Sequence, residues 1–562
     1  MPPRKRERAS ARTRSSARSE QSQGRAAGSR SKGGPGKACA ASAASASLSA
    51  TAAQEESDDD AAAATARPQE TGTALSCVLK VYCTSVRPNF AQPWQMKRQQ
   101  ESTSSGFILR DEQIFPARGI IILTNAHSVA HSVTVRVRKH GSPVKHVAKV
   151  LHIGHECDVA VLVAEDPAFY DDLPEPLQLG HTARLQDPVT VVGYPTGGDN
   201  LSVTVGVVSR VDVQAYSHSS ERFLTLQIDA AINAGNSGGP ALKAGRCVGI
   251  AFETLDDAEN IGYLIPAAVV ARFLDDLRSH GEYTRWCSLG FSWQPVESPA
   301  LRSHLKLGEG RSGVYVGEVY PTGAASGVLR EGDVVLRLGG QPIADDGTVP
   351  FEPAAEVRGG ASCRSQRVSF DALLLRHFVG DSIAAHVLRG GAERQVRLPL
   401  GCHHPLVPLH LHEERPSYVV CGGAVFTALS QPYLQHEWGK AWERRAPVSL
   451  VAKALNGSKA QRGEQVVLLS QLLGHECVRG YDSALLANSM VRALNGVPIL
   501  CLAQLAQLVR ACRQRSLRFD LEESRVLVLD TAQARGAEAE ILQQHNIPEP
   551  VLINERDAAL LR

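Results

Sequence analysis

The sequence predicts a mainly β protein: an all-β unit, built as a sandwich or a pair of barrels, then two smaller α+β units, all behind a disordered tail. Three observations point there. Short runs rich in Val, Ile and Thr, bounded by Gly, Pro, Asn and Asp, recur from Leu75 to about Pro266 with no helical pattern between them. A strand–turn–strand signature then appears twice, as VVLRLGGQPI at 334–343 and MVRALNGVPI at 490–499. Each copy is followed by an amphipathic stretch, FDALLLRHF or LAQLAQLVRAC, so the second half reads as a divergent internal repeat.

Residues 1–70 are Ala, Ser, Gly and Arg in low-complexity order, with almost no large apolar side chain. Such a segment cannot bury enough surface to offset its ordering entropy, which predicts disorder. Within it, Pro3-Arg4-Lys5-Arg6-Glu7-Arg8 is a basic cluster of the nuclear-localisation type. The Arg- and Ser-rich composition, poor in acids until Glu55-Glu56-Ser57-Asp58-Asp59-Asp60, also fits a chloroplast or mitochondrial transit peptide.

In the all-β unit, strands are expected over Cys77–Thr84, Ile120–Thr124, Val133–Arg138, Val159–Val163, Val189–Gly193, Leu201–Val213, Phe223–Ile228 and Cys247–Phe252. AAVVARFLDDLRSH at 267–280 has helical spacing and closes the unit. The formal charge of +2 over 562 residues makes no case for nucleic acid or a membrane surface. No apolar run approaches the ~18 residues that span a bilayer. Twelve cysteines without a C-x-x-C pair argue for a reducing compartment, against a disulfide scaffold or zinc ribbon.

The chemistry concentrates in DAAINAGNSGGPAL at 229–242, which sets Ser237 among three glycines and an asparagine. Glycines permit a plain tight turn, and equally a turn that aims several N–H groups at one developing oxyanion. A serine nucleophile needs a base within reach and a third group to orient that base. His127, at the end of the apolar strand in GIIILTNAHSV, is the best-placed base. Asp158, in CDVAVLV, has apolar neighbours on both strand faces, and a carboxylate buried there requires a partner such as an imidazole N–H. Asp229, eight residues before the serine, is the alternative carboxylate and is read instead as a residue that orders the serine loop.

The segments SSGFIL, TNAHSV, CDVAVL, VVGYP and DAAINAGNSGGPAL resemble, in order and spacing, the HtrA/Deg serine proteases of the chymotrypsin fold. SLGFSW at 288–293 and GVLREGDVVLRLGGQPI at 327–343 look like PDZ motifs, and PSYVVCGGAVFTALSQPYL at 416–434 is similar to plant-type members with two PDZ domains, especially their nuclear or nucleolar branch. The resemblance implies a tail (1–70), a chymotrypsin-like double-barrel protease domain (71–284), a first PDZ domain (285–404) and a PDZ-like domain with a C-terminal extension (405–562). It implies a His127–Asp158–Ser237 triad and an oxyanion hole at Gly235 and Ser237 with Asn236 between them. Ala231 and Ile232 would floor the specificity pocket, favouring cleavage after small or medium apolar residues.

Leu289, Gly290 and Phe291 would receive peptide C-termini at the first PDZ unit. The second has Cys421-Gly422-Gly423-Ala424 in their place and an extra stretch, Gln435–Arg462, which suits assembly better than capture. Assembly as a homotrimer or hexamer follows from the resemblance, as do unfolded or regulatory protein substrates. No cofactor or metal is expected: His127 and His131 lack a zinc glutamate between them, and CHHPLVPLHLH, with Cys402, His403, His404, His410 and His412, reads as a solvent-exposed connector. VVGYPTGGDN has no G-K-[ST] to hold phosphate. The rival reading is a proteolytically silent chaperone or PDZ scaffold.

Overall fold

Two closed six-stranded barrels stand at the centre of the computed structural model, which describes residues 74–254, 261–351 and 366–560. The tail expected at 1–70 lies outside the described residues. The first barrel comprises β1 (Val78–Ser85), β2 (Gln100–Arg110), β3 (Ile120–Thr124), β4 (Ser132–Arg138), β5 (Lys145–Gly154) and β6 (Val159–Ala164), hydrogen-bonded in the order β1-β2-β3-β6-β5-β4. The second comprises β7 (Pro188–Gly193), β8 (Ser202–Ala215), β9 (Arg222–Ile228), β10 (Pro240–Lys243), β11 (Arg246–Thr254) and β12 (Gly262–Pro266), in the order β10-β11-β12-β9-β8-β7. Closure removes every sheet edge. The open choice between sandwich and barrels is thereby decided.

All eight expected strands form, within two residues of their expected ends at most positions. Four further strands, β2, β5, β10 and β12, complete the barrels beyond the runs named from sequence. In β5, Lys145, Val147 and Lys149 face outward while His146 and Ala148 are buried, so its charges mask the alternation. A four-residue helix, α1 (Ala126–Val129), follows β3, and α2 (Ala267–His280) follows β12 as expected. Gly281, at φ +75°, ends α2 by donating its N–H to the Leu277 carbonyl at 2.8 Å.

The same apolar core runs on into the next unit, a sheet of Phe291–Pro295, Val314–Val319, Val334–Leu338, Ser382–Arg389 and Ala392–Pro399. Arg272 of α2 fastens the two: its Nε donates to the His377 carbonyl at 2.7 Å and its guanidinium lies 3.7 Å from the Phe378 ring centre. The helix expected over Phe370–Phe378 is a 3-10 helix, Phe370–Arg376. Only Phe370 and Leu374 of it are buried, too narrow an apolar face to hold α-helical turns.

The last unit carries a second sheet, whose strands include Tyr418–Cys421, Ala424–Ala428, Val467–Leu472, Ser489–Leu494, Ser516–Leu521 and Val526–Asp530. The expected helix appears as Leu502–Ala511. The interrupting stretch folds as helices Gln431–Trp438, Trp442–Arg445 and Val448–Asn456. These helices correct one expectation. The connector is not solvent-exposed along its length: Leu406 and Val407 are buried against Tyr433, Leu434, Trp442 and Leu450. Two apolar residues between prolines had a face to cover, and the inserted helices supply it.

Candidate active site

Of the residues singled out by sequence, His127 and Asp158 are brought into direct contact. His127 sits in α1, held just past the rigid end of β3. Asp158 lies in the turn immediately before β6, at φ +54°, a left-handed conformation that Asp tolerates better than most residues. This turn points its carboxylate into α1. Oδ2 lies 2.7 Å from His127 Nδ1, and Oδ1 accepts the His127 backbone N–H at 2.8 Å. The Asn125 side-chain amide donates to the Asp158 carbonyl at 2.9 Å, securing the turn from the other side.

Asp158 is fully buried. Burial by itself would push its carboxyl up. The charge and two hydrogen bonds of His127, with a smaller contribution from His218, outweigh burial and hold it below the ordinary carboxylate value. It is therefore an anion at neutral pH. An anion on Nδ1 fixes the tautomer that leaves Nε2 as the proton acceptor.

Ser237 lies in the loop before β10, its Oγ 3.4 Å from the Phe252 carbonyl. The loop is wound tightly. Gly235 has φ +97°, and a Cβ there would stand 2.5 Å from the Tyr194 carbonyl. Gly238, at φ +86°, has even less room: its Cβ would stand 2.1 Å from the Ser105 carbonyl. Glycine is required at both positions by space as well as by angle.

Backbone donors in this loop divide into two sets. Asn236 N–H is used by the Asn233 carbonyl at 2.9 Å, and Gly238 and Gly239 donate to Ala251 and Asn236 at 2.8 and 2.9 Å. Among the described residues, the N–H groups of Gly235 and Ser237 donate to no backbone carbonyl. These are the two N–H groups expected from sequence to receive an oxyanion, and no backbone carbonyl occupies either.

Ser105, on β2, was missed as a site residue although its motif was noticed. Fully buried, it donates its Oγ to the Gly235 carbonyl at 2.7 Å and accepts the Tyr194 N–H at 2.7 Å. Its own N–H donates to the Ser237 carbonyl at 2.9 Å, and its carbonyl accepts the Thr124 hydroxyl at 2.7 Å. Nothing local in SSGFIL signals this, because every partner but one lies more than 80 residues away.

Ile232 is buried beneath Gly262, where a Cβ would come within 2.7 Å of it, while Ala231 is exposed. Asp229, at the start of this loop, accepts the Val207 N–H of β8 at 2.6 Å. Leading into strand Phe291–Pro295, Leu289 and Phe291 are buried and Gly290, at φ +76°, accepts the Tyr320 N–H at 3.0 Å. That strand is one edge of its sheet and faces a cavity of about 1110 Å³. His131 faces Glu413, with Nδ1 and Oε2 3.3 Å apart.

Residues 104–250 match the trypsin-like peptidase domain family, and residues 407–551 match a PDZ domain family. The chain is similar to the Arabidopsis thaliana protein named Protease Do-like 2, chloroplastic, at 41% identity over 506 residues, covering 88% of this chain and 78% of that one. It is 37% identical over 476 residues to Protease Do-like 4, mitochondrial, of the same organism, covering 84% of each. A solved HtrA-type protease, AlgW with decapeptide, is 25% identical, with a TM-score of 0.44, over 60% of this chain and 98% of that one. No helix among the described residues is long and apolar enough to cross a membrane.

Proposed function

From the premise that this chain belongs to the HtrA/Deg family of serine proteases, we propose that His127, Asp158 and Ser237 are its catalytic triad. The protein is a serine endopeptidase with PDZ domains. The observation that carries the residue assignment is the paired contact of one buried carboxylate with both the ring and the backbone of His127.

In the proposed cycle His127 Nε2 takes the Ser237 proton as Oγ bonds to the peptide carbonyl carbon. The oxygen turned anionic is received by the N–H groups of Gly235 and Ser237. Collapse breaks the C–N bond, and the same proton leaves with the amine. Water, deprotonated by His127, then bonds to the acyl carbon, and the acyl–Oγ bond breaks as His127 returns that proton to Ser237. Each backbone donor is worth roughly 3 kcal/mol in such a site. No step requires ATP.

The finer readings form part of the proposal. Domains divide at 71–284, 285–404 and 405–562. Ala231 and Ile232 shape a pocket without a carboxylate, suited to small or medium apolar side chains. Leu289, Gly290 and Phe291 take peptide C-termini, supported by the edge strand beside them. Substrates are unfolded or regulatory proteins, and the chain works as a homotrimer or hexamer. For its address, the names of the two relatives favour a chloroplast or mitochondrion over the nucleus or nucleolus that Pro3–Arg8 suggested.

The deciding comparison sets wild type beside Ser237→Ala on an unfolded substrate without ATP. Cleavage by wild type alone supports the triad. Equal suppression of aggregation by both, with cleavage by neither, supports the chaperone reading. Imaging the chain with and without residues 1–40 tests the address.

A further inference from the structure

The connector between the two PDZ units turns back onto the barrels and meets two of their histidines. His155, buried, lies in the β5–β6 turn, three residues before Asp158. His218 lies in the β8–β9 turn. His155 Nδ1 and His218 Nε2 are 3.0 Å apart, and the connector's His410 ring is centred 5.2 Å from each of theirs. One ring nitrogen from each of the three lies within 4.8 Å of the others. His410 Nε2 is buried with no hydrogen-bond partner.

Three imidazoles converge here from three separate segments, and the buried His410 Nε2 is left without a partner among them. We propose that His155, His218 and His410 bind a divalent transition-metal ion, zinc foremost. Nitrogen ligands select zinc and the later first-row ions over calcium and magnesium, which require oxygen. A zinc ion about 2.1 Å from each nitrogen sets the nitrogens roughly 3.4 Å apart, so small ring rotations complete the site.

Two further features fit a ligand set. His155 Nε2 lies 3.2 Å from Glu413 Oε1 and has no aligned acceptor, so a slight swing completes a carboxylate–imidazole–metal arrangement. Burial, against the opposing charge of Asp158, brings His218 down to about 4, and burial with the neighbouring imidazoles brings His410 to about 2, which keeps both rings neutral at pH 7.

The ion would join the two barrels to the connector leading into the second PDZ unit. It would also stiffen the turn that carries Asp158, and hold the His218 ring near His127, whose centre is 6.1 Å away. The ligands are separated by 63 and 192 residues, so no short stretch of chain displays them together.

The test uses the tag-free full chain bearing Ser237→Ala to prevent self-digestion, stripped with chelator and titrated with zinc chloride by calorimetry. One zinc per chain at micromolar Kd or tighter is expected, with a rise in Tm. His410→Gln and His218→Gln should each weaken binding at least tenfold, while the exposed control His304→Gln leaves it unchanged. Circular dichroism of metal-free samples checks that the variants fold. If His218→Gln does not, His410→Gln decides, because its residue lies on the connector. Substoichiometric binding, or binding that survives His410→Gln undiminished, overturns the proposal.

Discussion

The Ser105 hydroxyl donates to the Gly235 carbonyl at 2.7 Å, linking the first barrel to the serine loop of the second across 130 residues of chain. That carbonyl belongs to the residue whose N–H is a proposed oxyanion donor, so the bond fixes the rotation of the neighbouring peptide planes. Ser105→Ala leaves the Gly235 carbonyl and the Tyr194 N–H buried and unmet, at a cost of roughly 1–3 kcal/mol for each such group. The expected result is a lower Tm and a kcat reduced at least tenfold with KM nearly constant. Steady-state kinetics on a peptide substrate check it; a KM effect with normal kcat would place Ser105 in substrate binding instead.

Gly238→Ala should be more damaging. A methyl group 2.1 Å from the Ser105 carbonyl cannot be accommodated without moving backbone, and φ +86° adds about 1–2 kcal/mol of left-handed strain. Activity should vanish, and a serine-directed fluorophosphonate probe should no longer label the chain. Normal labelling would mean that the loop is less constrained than its contacts require.

Asp158→Asn keeps the shape of the site while letting the amide donate toward Nδ1, which favours the wrong tautomer of His127. A fall in kcat of about 10⁴ is expected. Substrate capture, measured in the Ser237→Ala background, should not change.

Asp371 supplies a pH signature outside the site. Burial pushes its carboxyl up, only partly offset by the Ser369 hydroxyl at 2.8 Å and the charge of Arg222. Its folded value lies above the unfolded one of about 3.9. The stability it contributes is therefore complete below the unfolded value and is lost as pH rises through the folded one. Asp371→Asn should raise Tm at pH 8 and leave it unchanged near pH 3, as read by thermal melts across that range.

A digest of an unfolded protein tests the pocket at Ala231 and Ile232. Cuts should follow Ala, Val, Ile and Leu. Cuts mainly after Lys or Arg would require a carboxylate that this pocket lacks.

What the sequence by itself determined was local. Alternating apolar runs specified most of the strands, helical spacing specified 267–280 and 502–511, and glycines packed around Ser237 marked a loop too tight for ordinary side chains. Each of these follows from forces acting between residues near in the chain. Strands such as β5, with Lys on the outward face and His146 on the buried one, escaped because polar residues on both faces obscure the apolar alternation. Only the tertiary structure decided that Asp158 reaches His127 from a turn, that Ser105 holds the serine loop, that the connector is covered by inserted helices, and that His155, His218 and His410 face one another. Those contacts form when closing the barrels and docking the later units bring distant segments together, and no short window of sequence contains both partners.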